Sequence, residues 1–240
     1  MSNLQQSVEA GLSETSKTDF AGTLSGVDVS LKITEIFYSL QGEGLTAGLP
    51  TVFIRLTGCP LRCSYCDTAY AFSGGSAMSI AEILSQVAPH QTPHITVTGG
   101  EPLAQQACLP LLTALCDSGY QVSIETSGER DIGPVDSRVV KVMDLKTPGS
   151  GEQDRNRLEN IELLTTQDQV KFVICSREDY LWARRMIAGH ALEKRCHLLL
   201  SPAFGEVNPT ELASWILADH LPVRLQLQLH KSLWGDEPGR

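Results

Sequence analysis

The chain has 240 residues, with hydrophobic residues at 42%, charged residues at 20% and a formal net charge of −9. That composition is ordinary for a globular protein and excludes bulk disorder, collagen-like repeats and a long coiled coil. The acidic balance, with a pI near 5.1, argues against a direct nucleic-acid footprint, and no apolar run approaches the roughly 18 residues that cross a bilayer.

Residues 1–30 are rich in Ser, Thr, Gln and Glu, lack hydrophobic periodicity and read as a flexible N-terminal tail. Lys17 is their only basic residue and no signal peptide is visible, so a cytoplasmic setting is expected. Residues 31–240 read as one domain. Apolar β-type segments recur there in the order KITEIFY, TVFIRL, HITVTG, YQVSIET, RVVKVMDLK, QVKFVIC, CHLLLSP and VRLQLQL. Between them SIAEILSQV, LPLLTALCDSG, REDYLWARRMIAGH and PTELASWILADH carry apolar residues at three- and four-residue steps, which predicts helices. Strands alternating with helices imply an α/β fold with a parallel sheet and right-handed crossovers. Roughly seven such repeats are too few for a full eight-fold barrel, so a partial, open TIM-like β/α barrel is expected. Chemistry in such folds sits at the carboxyl ends of the strands. TGCPLRC, GGEP, ETSG and SPAFG all fall there.

Three of the seven cysteines, Cys59, Cys63 and Cys66, stand within eight residues directly after a predicted strand. Thiols so close either converge on one point or face water, and converging thiolates repel unless a cation lies between them. Zinc completes a tetrahedron with a fourth Cys or His, and no second CxxC-like pair follows in this chain. Three thiolates without a fourth suit an iron–sulfur cube with one iron open to a small molecule. A zinc loop completed by His94, His197 or His230 is the alternative. Cys108, Cys116, Cys175 and Cys196 read as buried structural thiols.

The CxxxCxxC loop, joined to Thr98-Gly99-Gly100-Glu101-Pro102 at the end of the next strand, resembles the radical S-adenosylmethionine (SAM) superfamily. More specifically, FYSLQGEG, AGLPTVFIRLTGC, CDT, ETSG, DLKTPGSG, VKFVI and LQLHKSLW resemble the QueE family, the 7-carboxy-7-deazaguanine synthases. The resemblance runs from about Ile33 to Trp234. It implies that Cys59, Cys63 and Cys66 hold a 4Fe–4S cluster whose open iron binds SAM. Tyr65, Cys66 and Asp67 would lie against the adenine, Gly100 and Glu101 at the SAM ammonium, and Asp144, Leu145 and Lys146 at its ribose or carboxylate. Ser201, Pro202, Ala203 and Phe204 would close over the adenine side.

The implied substrate is 6-carboxy-5,6,7,8-tetrahydropterin, held by Leu40, Gln41, Gly42, Arg55 and Thr98, with Mg²⁺ at Thr68. The implied reaction is a radical ring contraction with loss of ammonia. A flavodoxin- or ferredoxin-type electron donor and a homodimer come with the resemblance. No catalytic residue is assigned, and His230 and Lys231 face the expected mouth without an assigned role. From the residues alone, Tyr65 is equally a packing residue, Arg55 an ion-pair partner, Gln41 to Gly44 a turn, Glu101 a solvated turn residue and Thr68 a turn cap. The rival functions are a radical SAM activating enzyme acting on a partner protein and a non-enzymatic zinc-bound interaction module.

Overall fold

The computed structural model describes residues 30–235, 237 and 239. The expected tail, apart from Ser30, lies outside these described residues. Nine strands form one sheet. A hairpin comes first: β1 (Ser30–Leu40) pairs antiparallel with β2 (Pro50–Leu56), and β3 (Ser76–Ser79) adds antiparallel to the outer edge of β1. From β2 onward the sheet is parallel through β4 (His94–Gly99), β5 (Gln121–Thr126), β6 (Val140–Asp144), β7 (Gln169–Ile174), β8 (His197–Pro202) and β9 (Arg224–Leu225). Strands β3 and β9 are the two ends of this order, so the barrel is open, as expected.

The crossovers are less regular than the sequence suggested. Helices α1 (Ile80–Val87), α2 (Cys108–Asp117), α3 (Arg177–His190) and α4 (Pro209–Ala218) match the four predicted ones. The connections β5–β6 and β6–β7 contain no α-helix, only turns and short 3-10 segments. Both are interrupted by Gly and Pro (Gly128, Gly133, Pro134; Pro148, Gly149, Gly151), which break helical periodicity. VRLQLQL yields only a two-residue strand, and LHKSLW forms a short helix α5 (Leu229–Trp234) that the periodicity did not reveal.

Strand periodicity sorts the side chains onto two faces. Val52, Ile54, Ile95, Val97, Val170 and Phe172 turn outward into the apolar layer shared with the helices. Phe53, Arg55, Thr98, Glu125, Asp144 and Lys171 turn inward and line a central cavity of about 380 Å³. An eight-fold barrel normally fills its interior with branched apolar side chains. This lumen instead carries charged and hydrogen-bonding side chains among its apolar ones.

The β1–β2 loop caps the amino-terminal end of the lumen. Gly44 N–H donates to Gln226 Oε1 (2.8 Å) and Leu45 N–H to Gln169 Oε1 (3.0 Å), while Leu229 N–H donates to Gly42 C=O (3.0 Å). The first hairpin is thus tied to β7 and to the segment after β9. Near this end Asp168 is fully buried, accepts from Lys141 N–H and Thr165 N–H (2.8 Å each) and pairs with Lys141 Nζ at 3.3 Å. Removing one partner of such a pair strands the other charge. Asp168→Ala should therefore lose about 3–5 kcal/mol of folding stability, read from urea unfolding; a loss below about 1 kcal/mol would show that the pair does not brace the β6–β7 junction.

Candidate active site

The cysteine loop leaves the carboxyl end of β2 and is held from three sides. Gly58 N–H donates to Ala71 C=O (2.8 Å), and Glu101 N–H donates to Gly58 C=O (2.9 Å). Ser64 donates through N–H to Ser150 C=O (3.0 Å) and through Oγ to Gly149 C=O (2.7 Å). Cys59, Cys63 and Cys66 are half-buried free thiols lining the lumen. Burial, together with their neighbouring thiols and acids, pushes Cys59 and Cys63 above the usual thiol range, although Lys146 opposes this. His94 and His197 open β4 and β8, at the opposite end of the strands from this loop, so neither completes a zinc site with it. Among the described residues no three His, Cys, Asp or Glu side chains form a group for a single ion. Cys108 is buried in α2 and Cys196 half-buried beside β8, and burial raises their thiols to about 12 and about 11.

The Gly-Gly pair serves loop packing first. A Cβ at Gly100 would stand 2.2 Å from Gly58 O and 2.6 Å from Cys59 Cβ, so only glycine lets this backbone rest on the cysteine loop. Glu101 is not a solvated turn residue, nor does its carboxylate line the lumen. It is fully buried behind the wall. Its Oε1 accepts from Leu103 N–H (3.0 Å) and Thr126 Oγ1 (2.8 Å), and Oε2 from Ser127 N–H (2.7 Å) and Ser127 Oγ (2.6 Å). The residue joins the GGEP turn to the ETSG turn.

Across the lumen, charged groups alternate. Lys146 Nζ lies 2.9 Å from Asp144 Oδ2 and 5.6 Å from the Tyr65 ring centre. Tyr65 Oη and Asp144 Oδ1 are buried without a hydrogen-bond partner. Two orphaned polar atoms in a cavity wall call for polar atoms of a ligand. Gln41 is buried; its Nε2 donates to Thr96 Oγ1 (3.1 Å) and Glu125 Oε1 (3.4 Å), so it is more than a turn residue. Thr98 Oγ1 donates to Glu125 Oε2 at 2.9 Å. Arg55 Nε donates to Glu35 Oε1 at 2.7 Å, so it is an ion-pair partner, and its side chain also lines the lumen. Thr68 does not cap the following turn; its hydroxyl donates to Asp67 Oδ1 at 2.7 Å. Asp67 Oδ2 stands 4.0 Å from both His230 Nε2 and Lys231 Nζ.

Four expected contact residues lie elsewhere. Glu101 is the strut just described. Leu145 is a core residue, because it follows Asp144 in an alternating strand and so points to the opposite face. Ser201 is buried outside the cavity wall, and Pro202 borders a neighbouring groove instead. Ala203 and Phe204 do reach the rim. Conversely, Glu125, Lys171 and Gln228 line the lumen without having been singled out, and Glu43 does so within the loop expected on the substrate side. Each belongs to a quoted segment, LQGEG, ETSG, VKFVI or LQLHK; for Glu125 and Lys171 a charged residue inside a strand was the available signal, whereas Glu43 on a loop and the neutral Gln228 offered none of that kind. Burial alone would raise Glu43, but Lys171 beside it and Gln228 hold it below the usual carboxylate range. Burial and the nearby Glu43 charge hold Glu125 above it.

A match to the Radical SAM superfamily covers residues 53–144, from β2 through the cysteine loop to the end of β6. Fold, loop and match define a radical SAM protein on an open β/α barrel, a class that uses a 4Fe–4S cluster and SAM. The 7-carboxy-7-deazaguanine synthase of Chlorobaculum tepidum is 45% identical over 88% of this chain and 97% of its own length. That of Koribacter versatilis is 46% identical over 86% and 98%. The crystal structure of QueE from Escherichia coli superposes with a TM-score of 0.66 at 25% identity, covering 84% of this chain and 95% of that one. The chain belongs to the 7-carboxy-7-deazaguanine synthase family. Streptococcus suis SuiB, bound to the precursor peptide SuiA, shares the fold alone, with a TM-score of 0.53 at 13% identity.

Glu101→Gln turns an amide N–H₂ toward buried donors and should cost the metal-free protein about 1–3 kcal/mol. Urea unfolding with an unchanged midpoint would remove the strut.

Proposed function

We propose that this chain converts 6-carboxy-5,6,7,8-tetrahydropterin to 7-carboxy-7-deazaguanine with loss of ammonia, residues 31–240 acting as one radical SAM core domain. The observation that supports it most is the joining, in one lumen, of three thiols at the carboxyl end and a carboxylate-rich, hydrogen-bonding floor at the other. Its volume, about 380 Å³, lies within the small-molecule range of about 300–1,000 Å³.

Cys59, Cys63 and Cys66 would hold the cluster, and Tyr65, Cys66, Asp67, Gly100, Asp144, Lys146, Ala203 and Phe204 would surround SAM. The orphaned Tyr65 Oη and Asp144 Oδ1 fit a ligand carrying hydroxyl and amino groups. When bound, the cluster supplies the electron that cleaves SAM to a carbon-centred radical. The protein binds, orients and excludes water. Leu40, Gln41, Gly42, Arg55 and Thr98 form the substrate side, joined by Glu43 and Glu125. Arg55 suits the substrate carboxylate as a planar cation, and Gln41 with the two glutamates suits the pterin's donor and acceptor edge.

Thr68 is the proposed Mg²⁺ ligand. Its hydroxyl oxygen and the adjoining Asp67 carboxylate give oxygen donors at the rim, and Mg²⁺ takes its remaining ligands from water and substrate. A flavodoxin- or ferredoxin-type reductant and a homodimer follow the family resemblance, and a cytoplasmic setting follows the cysteine usage and the lack of a visible signal peptide. Among the described residues no helix is long and apolar enough to cross a membrane.

Three experiments test this reading. Anaerobically reconstituted protein given SAM, reductant, Mg²⁺ and the carboxytetrahydropterin should form the deazapurine by mass analysis, with no partner protein present. Ala at Cys59, Cys63 or Cys66 should abolish iron loading, whereas Ala at Cys108 or Cys196 should keep it; a failure of either half sinks the cluster assignment. In a magnesium titration, Thr68→Ala should lose magnesium stimulation while keeping its iron. Stimulation equal to wild type would dismiss Thr68.

A further inference from the structure

Lys171 is a buried cation on the inner face of β7, surrounded by carboxylates from three other elements. Its Nζ lies 2.5 Å from Glu43 Oε2, on the loop that caps the floor, and 3.8 Å from Asp144 Oδ2, at the carboxyl end of β6. Glu125 on β5 adds a third negative charge near it. The neighbouring charges facing this cluster are Lys146 beside Asp144, Arg55 toward Glu125 and His230 toward Glu43. Two residues earlier on β7, Gln169 holds the same loop by its backbone at Leu45. One strand therefore supplies both the backbone anchor of the floor and the cation for its acid.

We propose that Lys171 is a positioning residue, fixing the Glu43 carboxylate in the lumen as an acceptor for the N–H edge of a flat nitrogen heterocycle. The proposal rests on the substrate reading above and deepens it. A carboxylate has about four acceptor sites. Lys171 takes one on Oε2 and Gln228 Nε2 one on Oε1 (3.1 Å), which leaves acceptor capacity on both oxygens. Both partners together fix the plane of the group. Asp144 is set from the same strand pair, since it lies opposite Lys171 in the β6–β7 register. Lys171 thus stands between the substrate-side acid and the SAM-side acid, with Gln228 as a second partner of Glu43 and Lys146 as the nearer partner of Asp144. Burial alone would lower the Lys171 ammonium, yet Glu43, Asp144 and Glu125 hold it well above the usual range, so it stays charged.

The test separates positioning from mere neutralisation of a buried acid. Lys171→Met leaves Glu43 buried without its cation, which raises its folded-state pKa above the unfolded value. The metal-free variant should then melt several degrees below wild type at pH 8, and the gap should narrow toward pH 5, where the acid is protonated. On reconstituted enzyme its KM for the carboxytetrahydropterin should rise about tenfold or more, the scale of one charged hydrogen bond. Lys171→Arg should recover most of both losses. The decisive variant is Glu43→Gln combined with Lys171→Met. It should regain the melting temperature at pH 8 while its KM stays as high as that of Glu43→Gln alone. A double variant with wild-type KM would overturn the proposal, as would a pH-independent melting gap in Lys171→Met. If wild type itself fails to turn over the pterin, the functional reading falls, while the melting data still report whether Lys171 holds Glu43.

Discussion

A sheet can enclose charges only when each is matched by an opposite charge or a hydrogen-bond donor, because an unpaired buried ion costs more than any single contact returns. That constraint organises this lumen. Glu43, Glu125 and Asp144 would repel one another in a dry cavity; Lys171 and Lys146 are interleaved between them, and Gln41, Thr98 and Gln228 satisfy further oxygens. The ordinary solution for a barrel interior is branched apolar packing. Here most of the apolar packing lies in the outer layer, and the inner face sets charged groups beside a few apolar ones such as Phe53 and Val142.

The same requirement explains the floor. A polar lumen open at both ends would admit water to every ion pair and weaken it. The β1–β2 loop blocks one end, tied down through Gln169, Gln226 and the backbone of Leu229, and it brings Gln41 and Glu43 with it. Substrate recognition and closure of the barrel are therefore done by one loop. The rim is assembled by close backbone approach instead. Gly100 lies where a side chain would strike Gly58 and Cys59, and Gly149 where one would strike Asp179 and Cys175. The cysteine loop is wedged between these two turns, which leaves its thiols facing inward.

Glu101 shows how a residue named by a motif acquires its role from its surroundings. A carboxylate two residues past a strand end, taken alone, reads as exposed. Fully buried, with four donors on its two oxygens, it instead joins the carboxyl ends of β4 and β5, the part of the rim against which the cysteine loop rests.

The sequence by itself determined the α/β class, the open barrel, the four longer helices and the cysteine loop, because these depend on local periodicity and on spacing within a few residues. It also located Gln41, Arg55, Thr98, Asp144 and Lys146, whose segments carry the family resemblance. Only the tertiary structure decided which neighbours of those residues share their face. Leu145 is one step out of phase and turns into the core, whereas Lys171, on a strand distant in sequence, faces Glu43 across the lumen. The antiparallel hairpin at the sheet edge and the helix-free crossovers were likewise hidden. A strand's own pattern records that one face is buried, but not which strand it pairs with or what charge stands opposite, since those are set by contacts between residues more than a hundred positions apart, such as Glu43 and Lys171.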